Sequence, residues 1–240
     1  MTGPDTGATA GDALSTGCDA LDDLLGGGFD RGTVSQVYGP PAAGKTNVAL
    51  STAVRVAAAG GTAVYVDTEG LSTDRFRQLA EAAATDDDHL EALSGRILVE
   101  AAHDFEEQEE AVRDVADLAP EADLVVLDSA TGFYRLERRE DDEGEALRRL
   151  ARQVTHLLSL ARRHDLAVLV TNQVFTDPEA DRARALGGNT LDHWCGVVVR
   201  LDRFRGGNRR ATLEKHRSLP AGGTARFAIA GDGLRGVEEP

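Results

Sequence analysis

Apolar runs that alternate with helical patterns predict an α/β fold. The expected architecture is a mainly parallel twisted sheet with helices on both faces and an antiparallel C-terminal extension. Three observations carry this. Residues 62–66, 124–127 and 167–171 are almost continuously apolar, as strands covered on both faces must be, and residues 34–38 are mostly so. The segments between them repeat apolar residues at helical spacing. From Val197 onward the pattern changes to strand-like runs at 197–201, 210–214 and 225–229, separated by Gly, Asn and Pro turns.

Each element follows from local signals. Ser15 or Thr16 is placed to cap a short helix that turns Leu21, Leu24 and Leu25 toward a core, and Gly26, Gly27 and Gly28 end it. Strand 34–38 leads into an Ala-rich helix at 46–59, closed by Gly60 and Gly61. A strand at 62–66, a helix at 74–84 and a short strand at 97–99 come next. An acidic amphipathic helix at 104–118 stops near Pro120. Strand 124–127 precedes a long helix at 143–163, with Leu147, Leu150, Val154, Leu157, Leu158 and Ala161 on one face. Strand 167–171 completes the alternating part.

The 240 residues, 41% hydrophobic, suffice for one sizeable core. The expected division is a tail over 1–14, one domain over 15–235 and a short tail over 236–240. Lys and Arg number 26 against 41 Asp and Glu, a net charge of −15, and only Lys45 and Lys215 are lysines. This composition reads as salt adaptation, since an acidic surface stays soluble where salt screens charge over short distances. It argues against indiscriminate nucleic-acid binding but leaves room for a local basic patch. Residues 67–123 hold 18 acidic and 4 basic side chains, so most of the surplus lies there. Cys18 and Cys195 lack metal or disulfide spacing and read as free thiols in a reducing compartment. No apolar run is long enough to span a membrane, and the N-terminal segment lacks a signal-peptide pattern, so a cytoplasmic location is expected. The six histidines show no ligand spacing, and His193-Trp194 reads as packing.

The strongest chemical signal is Gly39-Pro40-Pro41-Ala42-Ala43-Gly44-Lys45-Thr46, followed by Asn47. It fits G-x-x-x-x-G-K-[ST] between a strand and a helix. The glycines let backbone N–H groups turn inward on phosphates, and the helix N-terminus adds partial positive charge. Lys45 is placed for the β- and γ-phosphates of ATP, and Thr46 for Mg²⁺. Asp128 ends the apolar strand 124–127 as a second metal partner. Asp67-Thr68-Glu69-Gly70 ends strand 62–66 on the same predicted edge, making Glu69 the candidate water-activating carboxylate. Gln173, at the end of strand 167–171, is the candidate sensor of the γ-phosphate.

The ordered set formed by Thr16-Gly17, Leu24-Leu25-Gly26-Gly27-Gly28, the phosphate loop, Asp67-Thr68-Glu69-Gly70, Leu127-Asp128-Ser129, Thr171-Asn172-Gln173 and Gly187-Gly188-Asn189 resembles the RecA-type recombinases. The archaeal RadA/RadB group is the most similar, and Lys215-His216-Arg217-Ser218-Leu219-Pro220 resembles its shorter, RadA-paralogous branch. The resemblance spans roughly residues 15–235. It implies a RecA-like P-loop NTPase core that binds ATP, Mg²⁺ and DNA, above all single-stranded DNA. It also implies weak ATP hydrolysis and a role beside a RadA-type recombinase in repair and recombination. By resemblance Arg75 stacks on adenine. Lys215 and Arg217 act as a catalytic pair in a neighbouring subunit's site, which implies a homo-oligomer. Residues two apart on a strand share a face, consistent with that pair.

The expected DNA contacts are Arg135, Arg138 and Arg139 near Tyr134 in the segment after Asp128, and Arg182 and Arg184 in the segment after Gln173. Acidic residues interrupt both segments. Residues 200–217 form the most basic stretch, a candidate DNA surface or subunit contact. The family's N-terminal helix-hairpin-helix domain has no counterpart before Ser15, and only about a dozen residues separate Gln173 from Gly187, so strand exchange is not expected. Two other readings share the phosphate loop: a KaiC-type regulatory ATPase acting on proteins, and an ATP-gated scaffold with negligible turnover.

Overall fold

A computed structural model describes residues 13–134, 143–177, 182–185, 188–204 and 206–237; the side chains of residues 143 and 175–190 are left undescribed. Arg135, Arg138 and Arg139 lie outside the described residues. In chain order the elements are α1 (Asp19–Leu25), β1 (Thr33–Gly39), α2 (Lys45–Ala58), β2 (Ala63–Asp67), α3 (Thr73–Ala83), α4 (Asp87–Ser94), β3 (Ile97–Ala101), α5 (Phe105–Leu118) and a 3-10 turn (Ala119–Glu121). These are followed by β4 (Leu124–Asp128), α6 (Glu143–His164), β5 (Ala167–Asp177), β6 (Arg182–Ala185), α7 (Gly188–Trp194), β7 (Val197–Arg203), β8 (Asn208–Lys215), β9 (Thr224–Ala230) and β10 (Gly233–Gly236).

The strands form one sheet in the order β10-β9-β8-β7-β1-β5-β4-β2-β3, with β6 paired to β5 off this path. Every residue of β1, β2 and β4 is buried, which accounts for the apolar runs of β2 and β4 and leaves Ser35 and Gln36 of β1 buried as well. Side chains alternate between two cores. Val37, Tyr65, Val126 and Leu169 face α1 to α4, while Val34, Val64, Val125 and Val168 face α5, α6 and α7.

The structure departs from the sequence expectation in several places. Val197 does not begin the antiparallel part, because β7 runs parallel to β1 and the antiparallel pairing starts at β8. Periodicity missed this because one buried strand looks the same in either sense. The strand expected at 167–171 continues to Asp177 and returns as β6, so the segment after Gln173 is partly a hairpin rather than a loop. Helices α4 and α7 and strand β10 are additional short elements. His193 and Trp194 stack edge to face, with Trp194 partly exposed rather than in the core.

The N-terminal cap also differs. Cys18 occupies the N-cap of α1 without a side-chain hydrogen bond. Ser15 and Thr16 instead turn to one carboxylate inside the helix. Asp22 accepts from the Ser15 hydroxyl at 2.5 Å, the Thr16 amide at 2.8 Å and the Thr16 hydroxyl at 2.7 Å. This knot holds the chain entry beside α2, where the Ser51 hydroxyl donates to the Thr16 carbonyl at 2.7 Å. Asp22→Ala leaves those donors unmatched and is expected to cost about 1–3 kcal/mol. Urea unfolding measures it, and a loss under about 0.5 kcal/mol would place the knot among ordinary surface contacts.

Candidate functional site

Parallel pairing aligns the strand ends that carry the chemistry. Gly39 of β1 is level with Gln173 of β5, and Asp67 of β2 with Asp128 of β4. Because β5 lies between β1 and β4, Gln173 sits between the phosphate loop and the Asp128 carboxylate. This is the carboxyl edge of a parallel sheet, where ligands bind in α/β folds.

Asp128 is 1% exposed and is surrounded by hydroxyls. It accepts from Tyr65 at 2.6 Å and also from Thr171, and the Thr46 side chain bonds to it as well. Burial pushes its carboxyl above the ordinary range, with the hydroxyls of Thr171, Tyr65 and Thr46 pulling the other way. The Thr46–Asp128 contact brings the two expected metal ligands together. Tyr65 and Thr171 were not foreseen, since a tyrosine and a threonine inside apolar strands carry no functional signal by spacing.

Glu69 stands on a turn built by Asp67, whose carboxylate accepts the amides of Glu69, Gly70 and Leu71 at 3.1, 3.0 and 2.5 Å. Glu69 Oε1 in turn accepts from Ser129 Oγ at 2.7 Å and from Gln173 Nε2 at 2.9 Å. The Thr68 hydroxyl accepts from the Ser129 amide and donates to the Ser129 carbonyl, stapling the two strand ends. The Asp128–Ser129 peptide bond is cis. The expected base and the expected sensor are therefore in direct contact.

Lys45 is 8% exposed, and its ammonium donates to the carbonyls of Gly39 and Pro40 at 3.0 and 3.2 Å. Gly44 has φ +104, and a Cβ there would meet Ile229 Cδ1 at 3.0 Å. The cavity, of about 330 Å³, is lined by Pro41, Ala42, Gly44, Lys45, Thr46, Asn47, Glu69, Gln173, Arg209 and Ile229. The last two come from β8 and β9, and no motif spacing ties them to the phosphate loop. The donor set fits a magnesium-bound polyphosphate: the N-terminus of α2, one buried ammonium, and a hydroxyl–carboxylate pair.

On the other sheet face a buried polar chain begins beside Gln173. The Thr131 hydroxyl donates to Asn172 Oδ1 at 2.8 Å, Asn172 Nδ2 to Gln36 Oε1 at 3.4 Å, and Gln36 Nε2 to Asp192 Oδ1 at 2.7 Å. Lys215 Nζ donates to the Asp192 carbonyl at 2.6 Å.

Other expected site residues fall elsewhere. Arg75 adjoins α2, donating to Asn47 Oδ1 at 2.8 Å and to the Gly231 carbonyl at 2.9 Å, so it flanks the cavity without lining it. Lys215 is level with Val198 and hence with Gln36 in mid-sheet. Arg217 lies past the end of β8, beside Gly196 at the start of the parallel strands. Neither reaches the phosphate loop of its own chain, and the shared-face argument fails because β8 stops at Lys215. Tyr134 is 2% exposed and packed in the core, so it offers no face to a base. Arg182 and Arg184 lie on β6, opposite Asp177 and Phe175 of β5. The basic stretch 200–217 is not a uniform surface. Arg200 pairs with Asp202 and Glu214, and Arg210 with Asp202. No group of metal-binding side chains beyond this edge occurs among the described residues, and no described helix is long and apolar enough to cross a membrane.

Burial pushes the Lys45 ammonium below the ordinary lysine range, opposed by the charges of Glu69 and Asp128. A lysine depressed in this way costs stability while charged, and the cost fades as pH rises through its folded value. Wild type is therefore expected to gain on Lys45→Met between pH 7 and about 10.4, the ordinary lysine value. Paired urea titrations across that range check it, and a constant gap would contradict the burial effect.

The Rad51 family matches residues 12–237. The chain is 68% identical to the DNA repair and recombination protein RadB of Halobacterium salinarum, covering 92% of this chain and 94% of the relative. It is 42% identical to the same-named protein of Thermococcus gammatolerans, covering 94% and 100%. A crystal structure of a RadB recombinase superposes with a TM-score of 0.80 at 39% identity, covering 94% of this chain and 100% of that one. The aligned strand ends, the phosphate loop and these matches lead to one statement: the chain belongs to the Rad51 family.

Proposed function

We propose that the chain binds Mg²⁺·ATP, hydrolyses it slowly, binds single-stranded DNA and assists a RadA-type recombinase in repair and recombination without itself exchanging strands. The observation that carries this is the contact of Glu69 with Gln173 at the mouth of the phosphate loop. The backbone amides at the start of α2, from Gly44 to Thr46, and the Lys45 ammonium hold the phosphates; Thr46 and Asp128 hold the metal. Bound Mg²⁺·ATP supplies the reactive phosphoryl group and neutralises part of its charge. Glu69 orients water and takes its proton, and Ser129 and Gln173 fix the carboxylate for that task. Because Gln173 bonds Glu69 and begins the segment leading into β6, a ligand at the γ-phosphate position shifts both the base and the candidate DNA segment.

The Rad51 match over residues 12–237 and the name of the Halobacterium salinarum relative support recombination over a clock-type regulatory role. The short stretch between Gln173 and Gly187, folded partly as the β5–β6 hairpin, supports an assisting role. Tyr134 is in the core, and Arg200 and Arg210 of the stretch 200–217 are paired. Arg135, Arg138, Arg139, Arg182 and Arg184 therefore remain the proposed DNA contacts.

Glu69→Gln is expected to retain ATP binding while hydrolysis falls about 100-fold or more. Phosphate release and nucleotide titration separate the two. Equal function of this variant and wild type in vivo would favour the ATP-gated scaffold. Single-stranded DNA retention on filters at molar KCl, with and without ATP, tests the DNA arm, and no retention in either state would remove it. Recovery of a RadA-type recombinase from extract in the presence of ATP tests the partner.

A further inference from the structure

Arg209 reaches the phosphate loop from β8, in the same hairpin as Arg200 and Arg210, which are both paired. Arg200 contacts Asp202 and Glu214; Arg210 contacts Asp202 and lies 5.0 Å over the Phe204 ring. Arg209 has no such carboxylate among the described residues. One of its terminal N–H groups donates to the Gly207 carbonyl in the β7–β8 turn, and its Nε is buried with no hydrogen-bond partner. That Nε lies 3.7 Å from where a Cβ on Gly44 would stand, and Ile229 closes the same space. Gly44 at φ +104 leaves the space open, and the cavity there continues to Lys45, Thr46 and Asn47.

The chemistry of this corner is one-sided. An unmatched buried donor costs free energy that an incoming acceptor would recover. Burial, and then the like charge of Arg203, also disfavour the Arg209 cation, so the corner carries excess positive charge in a chain with 41 acidic residues. A planar guanidinium with a free N–H edge is suited to phosphate oxygens.

We infer that Arg209 is a phosphate ligand supplied by the chain's own antiparallel extension, a second fixed cation that binds the nucleotide polyphosphate beside Gly44 while Lys45 binds it from within the loop. The inference rests on the nucleotide reading above. Mg²⁺·ATP keeps net negative charge, and a half-buried cation is screened by salt less than an exposed one. Arg209 thus sustains affinity under the high salt to which the acidic surface is suited. It also ties nucleotide occupancy to the β7–β8 hairpin, which no phosphate-loop residue does by sequence.

Calorimetric titration of wild type, Arg209→Gln, Arg209→Lys and Lys45→Ala with Mg²⁺·ATP over a KCl series tests this. Arg209→Gln is expected to bind about tenfold or more weakly, in line with loss of a charge-assisted hydrogen bond, with the deficit undiminished at high KCl. Arg209→Lys should fall between it and wild type, and Lys45→Ala should abolish binding. Wild-type affinity in Arg209→Gln at every KCl concentration, with Lys45→Ala inactive, would overturn the inference and leave the nucleotide reading intact. No binding by wild type, or equal binding by Lys45→Ala, would overturn both. If Arg209→Gln does not fold, butanedione labelling of wild-type protein decides. Protection of Arg209 by Mg²⁺·ATP supports the inference, and unchanged labelling overturns it.

Discussion

The carboxylate of Asp128, buried at the end of β4, is the constraint around which this edge of the molecule is arranged. A charge removed from water in this way is tolerated only where donors surround it. Tyr65 comes from β2, Thr171 from β5 and Thr46 from α2. Satisfying one carboxylate therefore places polar residues on two neighbouring strands and seats the first turn of α2 on the sheet. The same turn carries Lys45, and the end of β5 carries Gln173. A change at Asp128 consequently reaches Thr46, the phosphate loop and the end of β5 together.

The two sheet faces divide the remaining work. Tyr65, Thr171 and Asp128 turn toward α2 and form the phosphate-loop side. Asn172 and Gln36 turn the other way, and their amides lead through Asp192 to the neighbourhood of Lys215. Adjacent residues on β5, Thr171 and Asn172, thus serve different faces, as the pleat requires. The antiparallel extension closes the nucleotide cavity with Arg209 and Ile229, so the site draws on both ends of the chain. The acidic surplus of residues 67–123 lies largely on α3, α4, β3 and α5, apart from the hairpin that supplies Arg209.

The phosphate loop, Glu69, Asp128 and Gln173 were legible because each depends on a strand end, and apolar runs mark strand ends well. The structure brings all four to one edge. Arg75 was read by resemblance, and the pair Lys215 and Arg217 by resemblance together with its two-residue spacing. Arg75 is held by Asn47 and the Gly231 carbonyl, and the lysine and arginine stand away from their own phosphate loop. Tyr134 looked like a free aromatic among arginines, yet it is packed in the core. Local composition gives no sign of which way a side chain in a turn will point.

By itself the sequence determined the α/β class, the order of the alternating elements and the identity of the phosphate loop, because these rest on short-range periodicity and on a motif with fixed spacing. Only the tertiary structure decided that β5 separates β1 from β4, that β7 joins the parallel part, and that Ser15 and Thr16 bind Asp22 rather than cap α1. It alone assigned Tyr65 and Thr171 to Asp128 and Arg209 to the cavity at the phosphate loop. The physical reason is that strand order and side-chain pairing are settled by burial and by matching donors to acceptors between residues far apart in the chain. No pattern within a single segment encodes such a pairing.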